Sequence, residues 1–471
     1  MTTPRAMTMT TYLTFDRRSS VPFYRQIYDA VRASIVAGRL RAGERLPSTR
    51  ALATELGISR LPVVVAFEQL LHEGYLEGRT GSGTYVAASI PDELTTVARK
   101  PAVAEKKTRP AEAPRLGPFR VSLPALDQFP RRLWSRLVGR HAKSMTPEQM
   151  AYGDPAGHAP LRAAIADYLR TARAVHCEAG DVLIVSGSQM ALQICAQVLL
   201  PRGSSVAVEE PGYPGARDAL TRAGATLVPV AVDGEGLDVD ALDARQNIRA
   251  VYVTPSHQYP LGMSMTASRR IALLEWARRR NAWIIEDDYD SEYRYASRPL
   301  GALQGMDTAA RVIYLGSFSK VLFPSLRVGY VVVPPELMTA FLREREAIDL
   351  FSPILEQLVL TDFLAEGHLA RHVRRMRLLY EQRRDALVRG LREHAHLEPY
   401  NTDAGLHVTA FLPRGMDDRE LVRAAMQRGL DPVALSTCYL GRRPKSGLIL
   451  GFGGTSERRL LTACRTLGEL L

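Results

Sequence analysis

The run GSFSK at residues 316–320 follows a strand-like stretch, RVIYL, and ends on a lysine flanked by hydroxyls. A lysine so placed can form a Schiff base with an aldehyde cofactor while neighbouring hydroxyls hold that cofactor's phosphate. Lys320 would be the linking amine, with Ser317 and Ser319 turned toward phosphate. Arg327, seven residues on in PSLRVGY, offers the bidentate charge that a phosphate prefers. Alone, an SxxK pattern is more often an exposed lysine than a cofactor site. AWIIEDDYD at 282–290 shifts that balance. A carboxylate buried at the end of an apolar strand needs a cation. A protonated pyridine nitrogen is such a cation, with Asp287 as its partner and Tyr289 beside the ring's 3-hydroxyl oxygen. Asp288 and Asp290 are expected to be solvated members of an acidic turn.

Three further pieces fall in the order such a site requires. VSGSQMAL at 185–192 runs from strand to helix, so the backbone N–H groups near Gly187, Ser188 and Gln189 can cradle phosphate. EEPGYPGAR at 209–217 offers Tyr213 to stack on a ring, and VTPSHQYPLG at 253–262 places His257 and Tyr259 in a strand-end loop. Singly, a loop histidine or tyrosine is usually structural. Five pieces at successive strand ends point to pyridoxal 5'-phosphate.

Those pieces need a scaffold of alternating strands and helices. From about residue 119, DVLIVSG, SSVAVEE, ATLVPVAV, RAVYVTP, AWIIEDD, RVIYLGS and VGYVVVP recur with helix-like stretches between most of them. That alternation implies an α/β domain with a mostly parallel central sheet. Residues 119–335 read as its larger part, and 336–471 as long helices followed by a smaller α+β segment. Residues 88–118, rich in Pro, Ala, Lys and Arg, read as a linker.

Residues 19–87 form a separate unit. Ile27, Val31, Ile35 and Val36 predict one helix, and Leu46, Leu52 and Leu56 punctuate a second that Gly57 ends. Ser59 is expected to cap a third, with Val63, Phe67, Leu70 and Leu71 inward and Pro62 in its first turn. RTGSGTYVA then reads as a hairpin tip leading to a strand. Two helices around a Gly-containing turn make a helix–turn–helix, whose second helix offers its first residues to base edges. Those residues are Ser59 and Arg60, while Arg45, Ser48, Thr49 and Arg50 suit phosphates and Arg79 with Gly81-Ser82-Gly83 suits a wing.

The charge agrees in sign with a polyanionic partner. Residues 1–118 carry 17 Lys and Arg against 11 Asp and Glu, and the remainder carries 44 against 39, so the first part is the more basic per residue. Apolar and charged fractions of 46% and 24% are those of a globular protein. No apolar run suggests a transmembrane helix, and the N-terminus lacks a secretory core. Cys177, Cys195, Cys438 and Cys464 lie far apart, which predicts buried thiols in a cytoplasmic protein and no structural metal.

LPSTRALATELGISR and VVVAFEQLLHEGYLEGRTGSGTYV resemble the GntR family of winged-helix regulators, with Ser48, Arg50, Arg60 and Gly83 on the family's pattern. Leu61-Pro62 departs from the small polar residues usual there, and Leu61 suits a thymine methyl instead. From residue 119 onward the order of motifs resembles fold-type-I aminotransferases. EDDYDSEYRY, TPSHQYPLG and HVRRMRLLYEQRR make the whole chain similar to the MocR/GabR subfamily of GntR regulators.

The resemblance implies a winged helix–turn–helix joined to an aminotransferase-like domain. It further implies double-stranded DNA as a partner, a small amino-compound effector and a head-to-tail homodimer, with target genes often in amino-compound or vitamin B6 metabolism. It assigns Lys320 as the Schiff-base lysine, Asp287 and Tyr289 to the ring, Ser317 and Arg327 to phosphate and Tyr213 to stacking. Tyr152 corresponds to a tyrosine that reaches a neighbouring subunit's phosphate. Ile449 stands where many aminotransferases carry a carboxylate-binding arginine, and Gly215 where the GABA-responsive member has one; Arg442, Arg443 and Lys445 are the remaining nearby cations. Regulator is the leading reading, and a working aminotransferase with an accessory head is the alternative. HVRRMRLLYEQRR itself is expected to pack through Met376, Leu379 and Tyr380 rather than to bind DNA.

Overall fold

The computed structural model describes residues 16–17, 19–79, 81–89, 116–295, 301–441 and 444–471. The chain divides into two compact units, Met1–Glu112 and Ala113–Leu471. Most of the expected linker, together with Arg442 and Arg443, lies outside the described residues.

In the first unit, Ile27, Val31 and Ile35 repeat at one-turn spacing and are buried along α1 (Phe23–Val36). Val36, expected on the same stripe, is exposed, because the next residue falls about 100° around the helix. α2 (Thr49–Leu56) begins at Ser48, whose hydroxyl accepts from the Ala51 N–H at 3.2 Å, and ends on Gly57 in the left-handed region. α3 (Arg60–His72) buries Val63, Ala66, Phe67 and Leu70, with Leu71 half-buried at the edge. Ser59 holds the N-cap position of α3, yet its hydroxyl caps nothing, contrary to expectation. Pro62 stands third in the helix, where the cap normally finds an N–H, and it has none to donate. Ser48→Ala is therefore expected to cost the head about 1 kcal/mol and Ser59→Ala close to nothing. Amide hydrogen exchange of α2 and α3 in the full chain checks this. β1 (Leu76–Arg79) and β2 (Gly83–Val86) form an antiparallel ribbon with Arg79 opposite Gly83.

The second unit is built on an eight-stranded sheet of β3 (Val182–Val185), β4 (Ser205–Glu210), β5 (Thr226–Asp233), β6 (Gly236–Leu237), β7 (Ile248–Val253), β8 (Trp283–Asp288), β9 (Val312–Ser317) and β10 (Gly329–Val332). Their order is β3-β10-β9-β8-β7-β4-β5-β6. The five strands from β9 to β5 run parallel, and β10 lies antiparallel between β3 and β9. Both faces are covered, as a parallel sheet with helical crossovers requires. Trp283 and Ile285 of β8 join one apolar cluster and Ile284 joins another on the opposite face, following the two-residue period of a strand.

Three long helices follow, Met338–Asp349, Ile354–Ala365 and His368–Gly390. The last buries Met376 and Tyr380, with Leu379 half-buried. Arg377 donates to the Glu292 carbonyl at 2.9 Å, and Arg383 donates to that of Gly453, so part of this basic face holds the fold together. A second sheet, ordered β11 (Pro399–Tyr400), β12 (His407–Phe411), β14 (Gly447–Gly451) and β13 (Val433–Ala434), completes the chain with two flanking helices. The four cysteines are buried free thiols. Among the described residues no helix is long and apolar enough to cross a membrane.

Candidate functional site

Strand alternation decides which acid of Glu286-Asp287-Asp288 faces the site. Asp287 shares the face of Trp283 and Ile285, and Tyr252 of β7 lies on that same face. The Tyr252 hydroxyl donates to Asp287 Oδ2 at 2.7 Å. Asp287 is buried without an ion-pair partner among the described residues, and that burial pushes its carboxyl up to about 6. Asp288 points to the other face. It is not solvated, as the sequence suggested, but buried against Arg173 at 2.7 Å with the Tyr314 hydroxyl donating at 2.6 Å. Asp290 is likewise buried, 3.0 Å from His257 Nδ1. An acidic run at a strand end looks hydrophilic in sequence, but the covering helices and loops enclose all three acids.

Lys320 follows β9 directly and lines a pocket with Ser122, Ser188, Tyr213, Tyr252, Thr254, Tyr259, Asp287 and Tyr289. Its Nζ donates to the Ser122 carbonyl at 3.3 Å. Burial lowers the Lys320 amine below the ordinary lysine value, against the opposing pull of Asp290 and Asp287. A lowered amine is a better nucleophile near neutrality. Tyr213 and Tyr259 meet edge to face at 5.5 Å, and Gln189 donates to the Tyr213 hydroxyl at 3.3 Å. Tyr252, Thr254 and Ser122 were not singled out from sequence; for Tyr252 the available signal was one phenol between the valines of RAVYV.

The pocket floor continues into the helix Ser188–Leu199, whose N-cap Gly187 has φ +107. A Cβ on Gly187 would lie 3.1 Å from a terminal nitrogen of Arg327. Glycine therefore lets the Arg327 guanidinium settle against a helix N-terminus, a combination suited to a dianion. Ser317 Oγ accepts from the Ser319 N–H at 3.1 Å, and Ser319 is buried. Gly187→Ala is expected to weaken anion binding here about tenfold or more, from positive-φ strain plus displacement of Arg327. Equilibrium titration with pyridoxal 5'-phosphate checks it. Tyr152 is 86% exposed, edge-on to Phe351, and does not line the pocket of its own chain.

Ile449 is buried with Leu261, Met263, Leu435 and Cys438, so no cation stands at that position. A Cβ on Gly215 would fall 2.6 Å from the Tyr213 ring, which already fills the space a larger side chain needs. Lys445 lies over the Phe411 ring at 5.4 Å.

On the head, Arg45, Ser48, Arg50, Ser59, Arg60 and Gly83 are exposed and Thr49 is half-buried. Arg60 Nε donates to Thr49 Oγ1 at 3.1 Å, joining the first residues of α3 and α2. Gly83 has φ +116, and a Cβ there would lie 3.2 Å from Arg45 Nε. Arg79 pairs with Glu77 at 2.7 Å and covers the Tyr85 ring. Leu61 is 70% exposed beside Arg60.

A winged head and an aminotransferase-type sheet in one chain define a two-part regulator architecture. Residues 23–86 match the bacterial regulatory proteins of the gntR family, and residues 131–445 match aminotransferase class I and II. The chain is 42% identical to the probable rhizopine catabolism regulatory protein MocR of Rhizobium meliloti, over 97% of this chain and 95% of that protein. It is 34% identical to the pyridoxine biosynthesis transcriptional regulator PdxR of Corynebacterium glutamicum, over 92% and 93%. The kynurenine aminotransferase of Pyrococcus horikoshii, solved with PMP, superposes with a TM-score of 0.71 at 27% identity, covering 76% of this chain and 91% of that one. The chain belongs to the MocR/GabR subfamily of GntR-family transcription regulators.

Proposed function

We propose that this regulator binds double-stranded DNA through its head, holds pyridoxal 5'-phosphate at Lys320, and reads a small amino compound through that cofactor. The observation that carries the reading is Asp287. It is a buried carboxyl with no ion-pair partner among the described residues, and it lines the same pocket as Lys320. A protonated pyridine nitrogen is the cation this position lacks. The donor set fits the rest of the group. Arg327, the Ser188 and Gln189 amides, Ser317 and Ser319 suit its phosphate, Tyr213 its ring face and Tyr289 its 3-oxygen. When bound, the cofactor supplies an aldehyde carbon that a lysine or an incoming primary amine can capture.

Lys320, whose amine burial holds below its ordinary value, would hold that group, and an incoming primary amine would compete with it there, giving ligand and resting states different contacts. Only such a difference can shift the heads between two arrangements. Ile449 deprives the effector's carboxylate, if it has one, of the terminal-strand arginine. The exposed Tyr152 suits contact with the phosphate of a second copy, in a head-to-tail homodimer in the cytoplasm. Arg60 and Ser59 are assigned to base edges, and Arg45, Ser48, Thr49, Arg50 and Gly83 to the DNA backbone.

A gel shift on the chain's own upstream DNA tests the first half. Binding that weakens steeply with salt supports it, and the absence of any specific shift contradicts it. The intact Lys320, Asp287 and Arg327 favour slow transamination as a second activity. Single-turnover assays with amino acids would detect it.

A further inference from the structure

Against Tyr289 lies a buried pair that the cofactor reading does not use. His257 Nδ1 sits 3.0 Å from Asp290 Oδ1 and 2.9 Å from the Tyr289 hydroxyl oxygen. Both His257 and Asp290 are only 2% exposed. The second Asp290 oxygen accepts the Leu406 N–H at 3.2 Å. The imidazole is held in place from two loops by glycines with positive φ. A Cβ on Gly405 would lie 1.9 Å from His257 Cε1, and one on Gly262 would lie 3.4 Å from Nε2. No larger residue fits at Gly405 with the ring where it is.

Proton accounting then fixes the direction of each bond. An ionised carboxylate only accepts, so the nitrogen facing Asp290 must carry hydrogen. A nitrogen that carries hydrogen cannot accept from Tyr289, so the phenolic oxygen can only receive from it. The hydrogen of Tyr289 must therefore point elsewhere, and the open direction is the pocket that Tyr289 lines. Tyr289 keeps that hydrogen. Burial, with Asp290, Tyr259, Asp287 and Glu209 around it, holds the phenol well above its ordinary value. His407, whose ring is 5.1 Å from that of His257, is turned to the Pro260 carbonyl, and burial lowers it to about 4, so it is neutral and adds no competing charge.

We propose that the His257–Asp290 pair is a positioning device that obliges Tyr289 to donate into the Lys320 pocket, so that the group Tyr289 receives is an oxyanion. The inference rests on the pyridoxal reading of the pocket, in which that oxyanion is the ring's 3-oxygen. A donor to this oxygen favours its charged form, so the bound chromophore gives up its proton at lower pH. Losing the donor moves the midpoint upward.

The test is a pH titration of the bound cofactor's visible absorbance in the full-length protein. Tyr289→Phe is expected to raise the midpoint by about one pH unit, the effect of one hydrogen bond to a charged group. His257→Leu is expected to raise it by at least half as much, and to add nothing in a Tyr289→Phe background. His257→Asn, whose side-chain amide can replace the Nδ1 hydrogen, is expected to keep the wild-type midpoint. Asp290→Asn, which removes the anion that requires that hydrogen, should raise the midpoint even if the leucine variant does not fold. An unchanged midpoint in His257→Leu and Asp290→Asn overturns the proposal. So does a His257→Leu shift that persists undiminished without the Tyr289 hydroxyl, since a general packing defect would act in both backgrounds. If wild-type protein shows no absorbance that depends on Lys320, the pyridoxal reading itself falls and takes this inference with it.

Discussion

Lys320→Ala protein is expected to fold as wild type does and to lose the whole of the lysine-dependent visible absorbance. Among the described residues the amine is the one nucleophilic nitrogen lining the pocket, and Asp287, Tyr289 and Tyr213 can orient a ring but cannot bond to it. Lys320→Arg should behave like the alanine variant, because a guanidinium keeps the charge and loses the nucleophile. Asp287→Asn makes the complementary loss. A ring nitrogen facing an amide has no anion to hold its proton, and cofactor affinity is expected to fall by about a hundredfold.

The same carboxyl gives a pH signature. Burial pushes the Asp287 carboxyl up to about 6 in the folded chain, above the 3.8 ordinary for an aspartate. The folded state then binds the extra proton, so stability is fully present below about pH 4 and declines as pH rises through about 6. A bound ring cation removes that decline. The melting temperature gained on adding cofactor should therefore grow across that window, and Asp287→Asn should flatten the gain. Thermal melts with and without cofactor at a series of pH values read this directly.

Arg45→Ala and Arg50→Ala should each weaken binding to any duplex and reduce the salt slope of binding by about one. Both side chains are exposed and neither forms a salt bridge among the described residues. Arg60→Ala should act differently. Its Nε is engaged with Thr49, which leaves the two terminal amino groups for a base edge. Its loss should cost about 1–3 kcal/mol on the preferred sequence and relax the choice of base at one position. Binding measured on specific and scrambled DNA across a salt series separates the two behaviours.

Much of this arrangement was legible in sequence because it depends on short local patterns. All seven apolar runs of the larger domain became strands of one sheet, since β-branched segments between amphipathic helices have one economical packing. Lys320, Asp287, Tyr289, Tyr213 and Ser188 converge because each stands at or just beyond a strand end. Asp288 and Asp290 were misread because polarity along a sequence does not reveal what covers it. Arg173, more than a hundred residues away, supplies the charge that buries Asp288. Ser59 looks like a cap in sequence, where Pro62 is merely tolerable in a first turn, yet that proline withholds the N–H the hydroxyl would bind. Tyr252 was invisible as a site residue because nothing local marks a strand phenol whose partner lies on the neighbouring strand.

The central claim is that an amino compound acts on DNA binding through the cofactor at Lys320. A panel of primary amines titrated into wild-type protein, with cofactor absorbance and affinity for the upstream DNA recorded on the same samples, tests it most directly. At least one amine is expected to change the absorbance and shift DNA affinity with the same midpoint, and to do neither in Lys320→Ala protein. An amine that shifts DNA affinity equally in wild-type and Lys320→Ala protein, with the absorbance unmoved, would contradict the account.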